Sequence, residues 1–377
     1  MLPSPEQLVQ QIHDSPTRLV LAVTGGGSRA IAELLDVPGS SRTLLEAVVP
    51  YAPAAMAAWL GAMPEEFCSA GTARAMAMAA FQRARRFENL ETMPVGIACT
   101  ASLATDRPKR GAHRIHVALQ TAQRTVAWRL ELLKDRRSRA EEERLAGRLV
   151  LNVIAEASDV ADRLKLDLLE GERVDTLQAI GPPEWQELLL GNVESVCLHP
   201  TGRAPRIVMS GAFNPLHDGH RRMCQVAREW LHEPVAVEMS VVNVDKPPLD
   251  YISLEQRLSQ FSSEQTVYLT RAATFEEKSR LFHGVTFVVG VDTLRRIAAS
   301  QYYHNNPAAC LAAVERIAER GCRFLVFGRD VGKGFIRSAD LELPEMLRSL
   351  CREVPPDVFR EDISSTAIRQ AQAGTQS

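Results

Sequence analysis

No apolar run in this chain approaches the roughly 20 residues that a membrane-spanning helix needs, and charged and polar residues stand at the N-terminus where a secretory leader would place an apolar core. A cytoplasmic protein without a membrane partner is expected. Cysteines spaced C-x-x-C are also missing: Cys68, Cys99, Cys197, Cys224, Cys310, Cys322 and Cys351 lie scattered and are odd in number. That pattern fits free thiols in a reducing compartment better than disulfides or a zinc site. Net charge is nearly absent, −2 over 377 residues, so no global field favours nucleic acid, and no nucleic-acid partner is expected. The basic cluster Arg107-Pro108-Lys109-Arg110 reads as solvated surface. Repeats and low-complexity tracts are lacking too. With 45% hydrophobic and 24% charged residues the composition is that of a soluble globular protein, and the length exceeds one ordinary core, implying two to three domains.

What is present centres on Gly211-Ala212-Phe213-Asn214-Pro215-Leu216-His217-Asp218-Gly219-His220. It follows the apolar run Ile207-Val208-Met209 and precedes Met223, Val226, Ala227 and Trp230 at helical spacing, which predicts strand, tight loop, helix. Such joints bind phosphate, because the first N–H groups of a helix have no partner within it and a loop glycine lets backbone approach closely. His217 and His220, three residues apart, fall on one side of the helix entrance, where their imidazoles can donate to phosphate oxygens. The competing reading is a capped turn with two structural histidines.

This stretch resembles the HxGH signature of the nucleotidylyltransferase superfamily, in a form similar to nicotinamide mononucleotide adenylyltransferases. Ile363-Ser364-Ser365-Thr366-Ala367-Ile368-Arg369, about 150 residues further on, is similar to a second signature of those enzymes. The resemblance implies ATP with Mg²⁺ as one substrate, a mononucleotide phosphate as the other, and pyrophosphate as product. It implies phosphate contacts from Gly211, Ala212, Phe213, Asn214 and Gly219, catalytic roles for His217, His220 and Arg369, and hydroxyl and N–H donors from Ser364, Ser365 and Thr366. Gly290 and Asp292 match a G-x-D segment near the nucleotide ribose, although a helix start is an equal reading of Asp292. Lys246 and Arg257 resemble the segment that receives the mononucleotide phosphate, and Gly328-Arg329 is a further candidate. No resident metal site is implied. Transfer to a phosphopantetheine-like or alcohol phosphate, or a catalytically silent nucleotide-binding protein, are the alternatives.

In the N-terminal half, Arg18 to Val23 reads as a buried strand entering Thr24-Gly25-Gly26-Gly27-Ser28, then a helix from Arg29 to Leu35 that stops at Asp36-Val37-Pro38-Gly39. No Walker lysine follows the glycines. Together with Ser40-Ser41, Tyr51, Ala73-Arg74-Ala75-Met76-Ala77, Val95-Gly96-Ile97-Ala98 and Asp135-Arg136, this segment resembles the C-terminal amidase domain of the CinA family, which acts on nicotinamide mononucleotide. The family's nucleophilic serine falls at Ala22 and its lysine at Met56. Neither replacement can attack a carbonyl or relay a proton, so amidase chemistry is expected to be absent; Thr24, Ser28 and Ser102 have no lysine or histidine placed to activate them. Dimer formation, or the binding of a pyridine nucleotide, is the expected role.

The reading is therefore α/β in two domains. A CinA-like domain covers residues 1–165, a connector with a helix around Trp185 to Leu190 covers 166–203, and a doubly wound, Rossmann-like parallel sheet covers 204–377. A helical pattern is expected from Trp128 to about Leu166, with Leu145, Leu149, Val153 and Val160 forming its apolar stripe.

Overall fold

A computed structural model describes residues 2–88, 94–106, 111–242, 249–303, 305–330 and 334–360. These divide into two compact units, residues 2–186 with 249–255, and residues 187–242 with 256–360. Each is a mixed α/β structure built on one large sheet.

The first unit runs α1 (Pro5–Asp14), β1 (Leu19–Thr24), α2 (Arg29–Asp36), β2 (Leu44–Val48), α3 (Pro53–Leu60), α4 (Ala70–Phe87), β3 (Val95–Ser102), β4 (His113–Gln120), β5 (Arg124–Leu132), α5 (Arg139–Ala157) and β6 (Val174–Ile180). Its strands lie in the order β2-β1-β3-β4-β5-β6, parallel across the first three and antiparallel beyond. One face carries Leu21, Val23, Ile97, Cys99, Val117 and Leu119 against α1, α2 and α5. The other face is small-sided: Ala22, Ala98 and Ala118 meet Met56 of α3 and Ala73, Met76 and Ala77 of α4. Close approach is the reason, since a Cβ on Gly96 would lie 2.1 Å from the Ala77 carbonyl oxygen.

Two expectations need correction here. The helical pattern expected from Trp128 starts only at Arg139, because Arg124–Leu132 is a strand. Its Val126, Trp128, Leu130 and Leu132 alternate onto the core face, a period of two that the long helical stripe downstream obscured. The 166–203 stretch, read as a connector, contributes β6 to the first sheet and a further strand to the second. Its helix is α6 (Pro183–Leu190).

Residues 249–255 belong to the first unit although they follow the HxGH stretch in sequence. Asp250 accepts from Arg74 Nε at 3.1 and 3.2 Å, with both side chains nearly buried. The Tyr251 hydroxyl donates to the Ala122 carbonyl at 2.5 Å, and its backbone N–H donates to Thr125 Oγ1. Gly181 leaves room for the Tyr251 ring, which a Cβ there would meet at 2.5 Å.

The second unit runs β7 (Ser195–Leu198), β8 (Ile207–Ser210), α7 (Asp218–Leu231), β9 (Val235–Ser240), α8 (Tyr251–Leu258, entering from the first unit), β10 (Val267–Thr270), α9 (Phe275–Leu281), β11 (Thr286–Gly290), α10 (Val291–Ile297), α11 (Pro307–Glu319), β12 (Arg323–Phe327), the short pair β13 (Arg329–Asp330) and β14 (Phe335–Ile336), α12 (Glu345–Ser349) and β15 (Cys351–Val354). The sheet order is β15-β12-β11-β8-β9-β10-β7, all parallel except β7. Starting from β8, the chain winds outward through β9 and β10, then crosses to β11, β12 and β15. This is the doubly wound order, with its reversal between β8 and β11. Phe287, Val289, Phe324 and Val326 anchor one core beneath it. Between β9 and α9 a charge pair is buried: Lys278 Nζ donates to both Glu238 carboxylate oxygens at 2.7 Å.

Candidate active site

In doubly wound sheets ligands bind where the strand order reverses, because successive connections leave toward opposite faces of the sheet; here that point lies between β8 and β11. The HxGH loop leaves β8 there, and Gly290 ends β11 beside it; the register Thr286↔Ile207 to Val288↔Met209 carries the two strands to that edge in step. Gly211 begins the loop, its N–H donating to the Glu238 carbonyl of β9 at 3.0 Å.

Phe213 is the loop's internal anchor. It is buried, with its ring edge-on to Phe261 at 5.3 Å and to His220 at 5.2 Å between centroids. Its φ is +44°, a left-handed conformation that costs a non-glycine residue on the order of 1 to 3 kcal/mol and persists only where surroundings enforce it. A Cβ on Gly211 would lie 2.7 Å from this ring. Thus Gly211 is required by packing inside the loop itself. Asn214 is exposed, and Gly219 is buried in the first turn of α7.

His217 is the N-cap of α7. Its backbone N–H donates to His220 Nδ1 at 3.3 Å, and the two imidazoles stack with centroids 3.8 Å apart. Since Nδ1 of His220 accepts, the neutral ring holds its proton on Nε2. Burial, and secondarily the adjacent His217, depress the His220 pKa to about 4. At neutral pH this imidazole is an uncharged donor.

Asp292 lies in the first turn of α10, while Gly290 is that helix's N-cap. The Asp292 carboxylate accepts from Arg329 Nη1 at 2.7 Å, with Arg295 3.8 Å away. Arg329, the first residue of β13, is thereby held beside the start of α10. Arg257, expected near the acceptor phosphate, donates from Nη1 to the Ala212 carbonyl at 3.0 Å and so braces the loop. Lys246, Ser364, Ser365, Thr366 and Arg369 lie outside the described residues. Among the described residues no cluster of three or more histidine, cysteine, aspartate or glutamate side chains is poised around a metal position, and no helix is long and apolar enough to cross a membrane.

In the first unit, Ala22 and Met56, the positions where the amidase resemblance would place serine and lysine, are both buried and share one apolar cluster. In the same unit a cavity of about 390 Å³ is lined by Val23, Thr24, Gly26, Tyr51, Arg139 and Glu143 among others. Glu143 occupies the glycine loop: its carboxylate accepts from the N–H of Gly27 at 3.0 Å, the N–H of Arg29 at 3.1 Å and the hydroxyl of Ser28 at 2.9 Å. The start of α2 is filled by an internal anion. Nothing local in the sequence signals this, because Glu143 arrives from more than a hundred residues away.

The cytidylyltransferase-like family matches residues 208–371, so the second unit carries a nucleotidyltransferase domain. No curated protein matches the chain. Among solved structures, the chain is similar to the competence/damage-inducible protein CihA from Agrobacterium tumefaciens (20% identity, 41% of this chain and 97% of that one, TM-score 0.33). It is also similar to a competence or damage-inducible protein from Enterobacter asburiae (15% identity, 42% and 98%, TM-score 0.34), and to a CinA superfamily protein from Enterobacter cloacae (17% identity, 42% and 93%, TM-score 0.33).

Proposed function

We propose that the second unit transfers the adenylyl group of magnesium-bound ATP to the phosphate of nicotinamide or nicotinate mononucleotide. An oxygen of the acceptor phosphate attacks the α-phosphorus; the bond from that phosphorus to the β-bridging oxygen breaks, and its electron pair leaves with pyrophosphate. The nucleophile is already an anion, so no general base is needed. What the site must supply is in-line placement and donors toward the phosphate oxygens.

The observation that carries this reading is the stacked His217–His220 pair at the mouth of α7, beside the sheet's reversal point. His220 offers a Nε2–H donor without a charge of its own, and the first N–H groups of α7 add others. Each such donor contributes on the order of 2 to 4 kcal/mol where negative charge builds up. Ser364, Ser365, Thr366 and Arg369 are assigned the β- and γ-phosphates, and Lys246 the acceptor phosphate. Mg²⁺ enters as part of the nucleotide substrate, held by phosphates and water.

The first unit is assigned a non-catalytic role, in holding a pyridine nucleotide or joining two copies of the chain. Ala22 and Met56 support it, since apolar packing replaces the reacting groups.

Pyrophosphate release is the test, measured on the full chain with ATP or CTP against mononucleotides, phosphopantetheine and alcohol phosphates. Dinucleotide formed from ATP and a nicotinamide or nicotinate mononucleotide supports the reading. Release only with CTP or with another acceptor replaces it, and binding without release makes the chain a nucleotide sensor.

A further inference from the structure

The loop that presents His217 and His220 is braced from outside by side chains that follow it in the chain. Its described backbone bonds are the anchor from Gly211 to β9 and the first turn of α7; between them the chain passes through the left-handed Phe213. Three polar backbone groups in this interval are instead met by two side chains at the end of α8. Arg257 takes the Ala212 carbonyl. Gln260, half-buried just beyond the helix, takes the other two: its Oε1 accepts from the Leu216 N–H at 2.7 Å, and its Nε2 donates to the Phe213 carbonyl at 3.0 Å.

We propose that Gln260 is a positioning residue for the transfer reaction, a clasp that bridges Phe213 and Leu216 and so sets where the two imidazoles stand. This inference rests on the transferase reading. Nε2 also donates to the Arg257 carbonyl at 3.2 Å, which closes the helix end; a helix-capping role alone would require that bond and neither of the loop bonds. Only a side chain with a donor and an acceptor on one planar head, at this reach, can satisfy both loop groups together. Leucine offers neither. Ionised glutamate accepts from Leu216 but sets an anion against the Phe213 carbonyl. Leu216 is adjacent to His217, whose N–H fixes the His220 tautomer, so a loop released at Leu216 moves the donor pair directly.

The test uses the full chain with Gln260→Leu and Gln260→Glu, read by steady-state pyrophosphate release and by amide hydrogen exchange over residues 211–220 without substrate. With Gln260→Leu, kcat is expected to fall roughly 10- to 100-fold, the scale for an ångström of misplacement, with KM for ATP nearly unchanged and faster exchange at Leu216. With Gln260→Glu, activity is low at neutral pH and recovers as pH falls toward 5, because the protonated carboxyl regains a donor for Phe213; the wild type shows no such recovery. Wild-type kcat and wild-type exchange in Gln260→Leu would overturn the proposal, as would a pH profile unchanged by Gln260→Glu. Should Gln260→Leu fail to fold, the near-isosteric glutamate variant decides alone. A wild type that releases no pyrophosphate with any acceptor defeats the transferase reading, whereas the exchange data still decide whether Gln260 holds the loop.

Discussion

The backbone N–H of His217 donates to Nδ1 of His220 at 3.3 Å, and this contact decides which nitrogen of the second histidine carries the proton in the neutral ring. The spacing of three residues makes it possible, because the N-cap and the third residue of a helix lie within reach of one another. His220→Ala is expected to lower kcat by roughly two to three orders of magnitude, the scale of losing one oriented donor, with ATP affinity reduced only modestly. Steady-state kinetics with separate ATP titration checks this, and unchanged turnover removes His220 from the reaction.

Gly211→Ala places a methyl 2.7 Å from the Phe213 ring, and that ring is confined by Phe261 and His220. Overpacking of this kind costs about 1 to 3 kcal/mol. Both the thermal midpoint and turnover are expected to drop; an alanine variant with wild-type activity would show that the loop can relax.

Acid should loosen both units in one window. His220 and His116 each have a pKa lowered to about 4, chiefly by burial, with Arg114, Arg129 and Arg74 adding to the effect at His116. A histidine whose folded pKa lies below its unfolded value of about 6.5 binds fewer protons folded than unfolded between those values. The stability associated with the neutral ring is therefore complete above about pH 6.5 and is lost as pH falls toward 4. Denaturant unfolding at several pH values should show this slope, and His116→Gln should flatten the part that belongs to the first unit.

Arg74 and Asp250 form a nearly buried ion pair. Removing one partner leaves the other charge unpaired, at a cost of about 3 to 5 kcal/mol. Asp250→Asn should lower the unfolding midpoint of the first unit accordingly, and Gly181→Ala should act in the same direction by striking the Tyr251 ring.

Reinstating Ala22→Ser with Met56→Lys is expected to yield no amidase activity. Met56 packs among alanines with 1% of its surface exposed, and a lysine there has no counter-charge in that cluster, so burial favours its neutral form and destabilises the fold by several kcal/mol. Amide hydrolysis assayed beside a thermal melt checks both parts; recovered activity would show that the apolar cluster can open.

Local pattern determined much of this protein. The alternation of apolar runs and helical stretches after Ile207 specified a parallel α/β sheet, and the G-x-F-N-P-x-H-x-G-H string placed two histidines at a strand-to-helix joint, because both properties depend on residues within one or two turns of each other. Ala22 and Met56 were legible for the same reason, as side chains without the required atoms. Tertiary structure alone decided which distant groups meet. Glu143 fills the first glycine loop, Gln260 and Arg257 brace the second, Arg329 claims Asp292, and residues 249–255 join the first unit through Arg74 and Thr125. Each of these is a hydrogen bond or ion pair between residues far apart in the chain, and no periodicity encodes such a partner: its identity follows from how strands are ordered and helices laid across them.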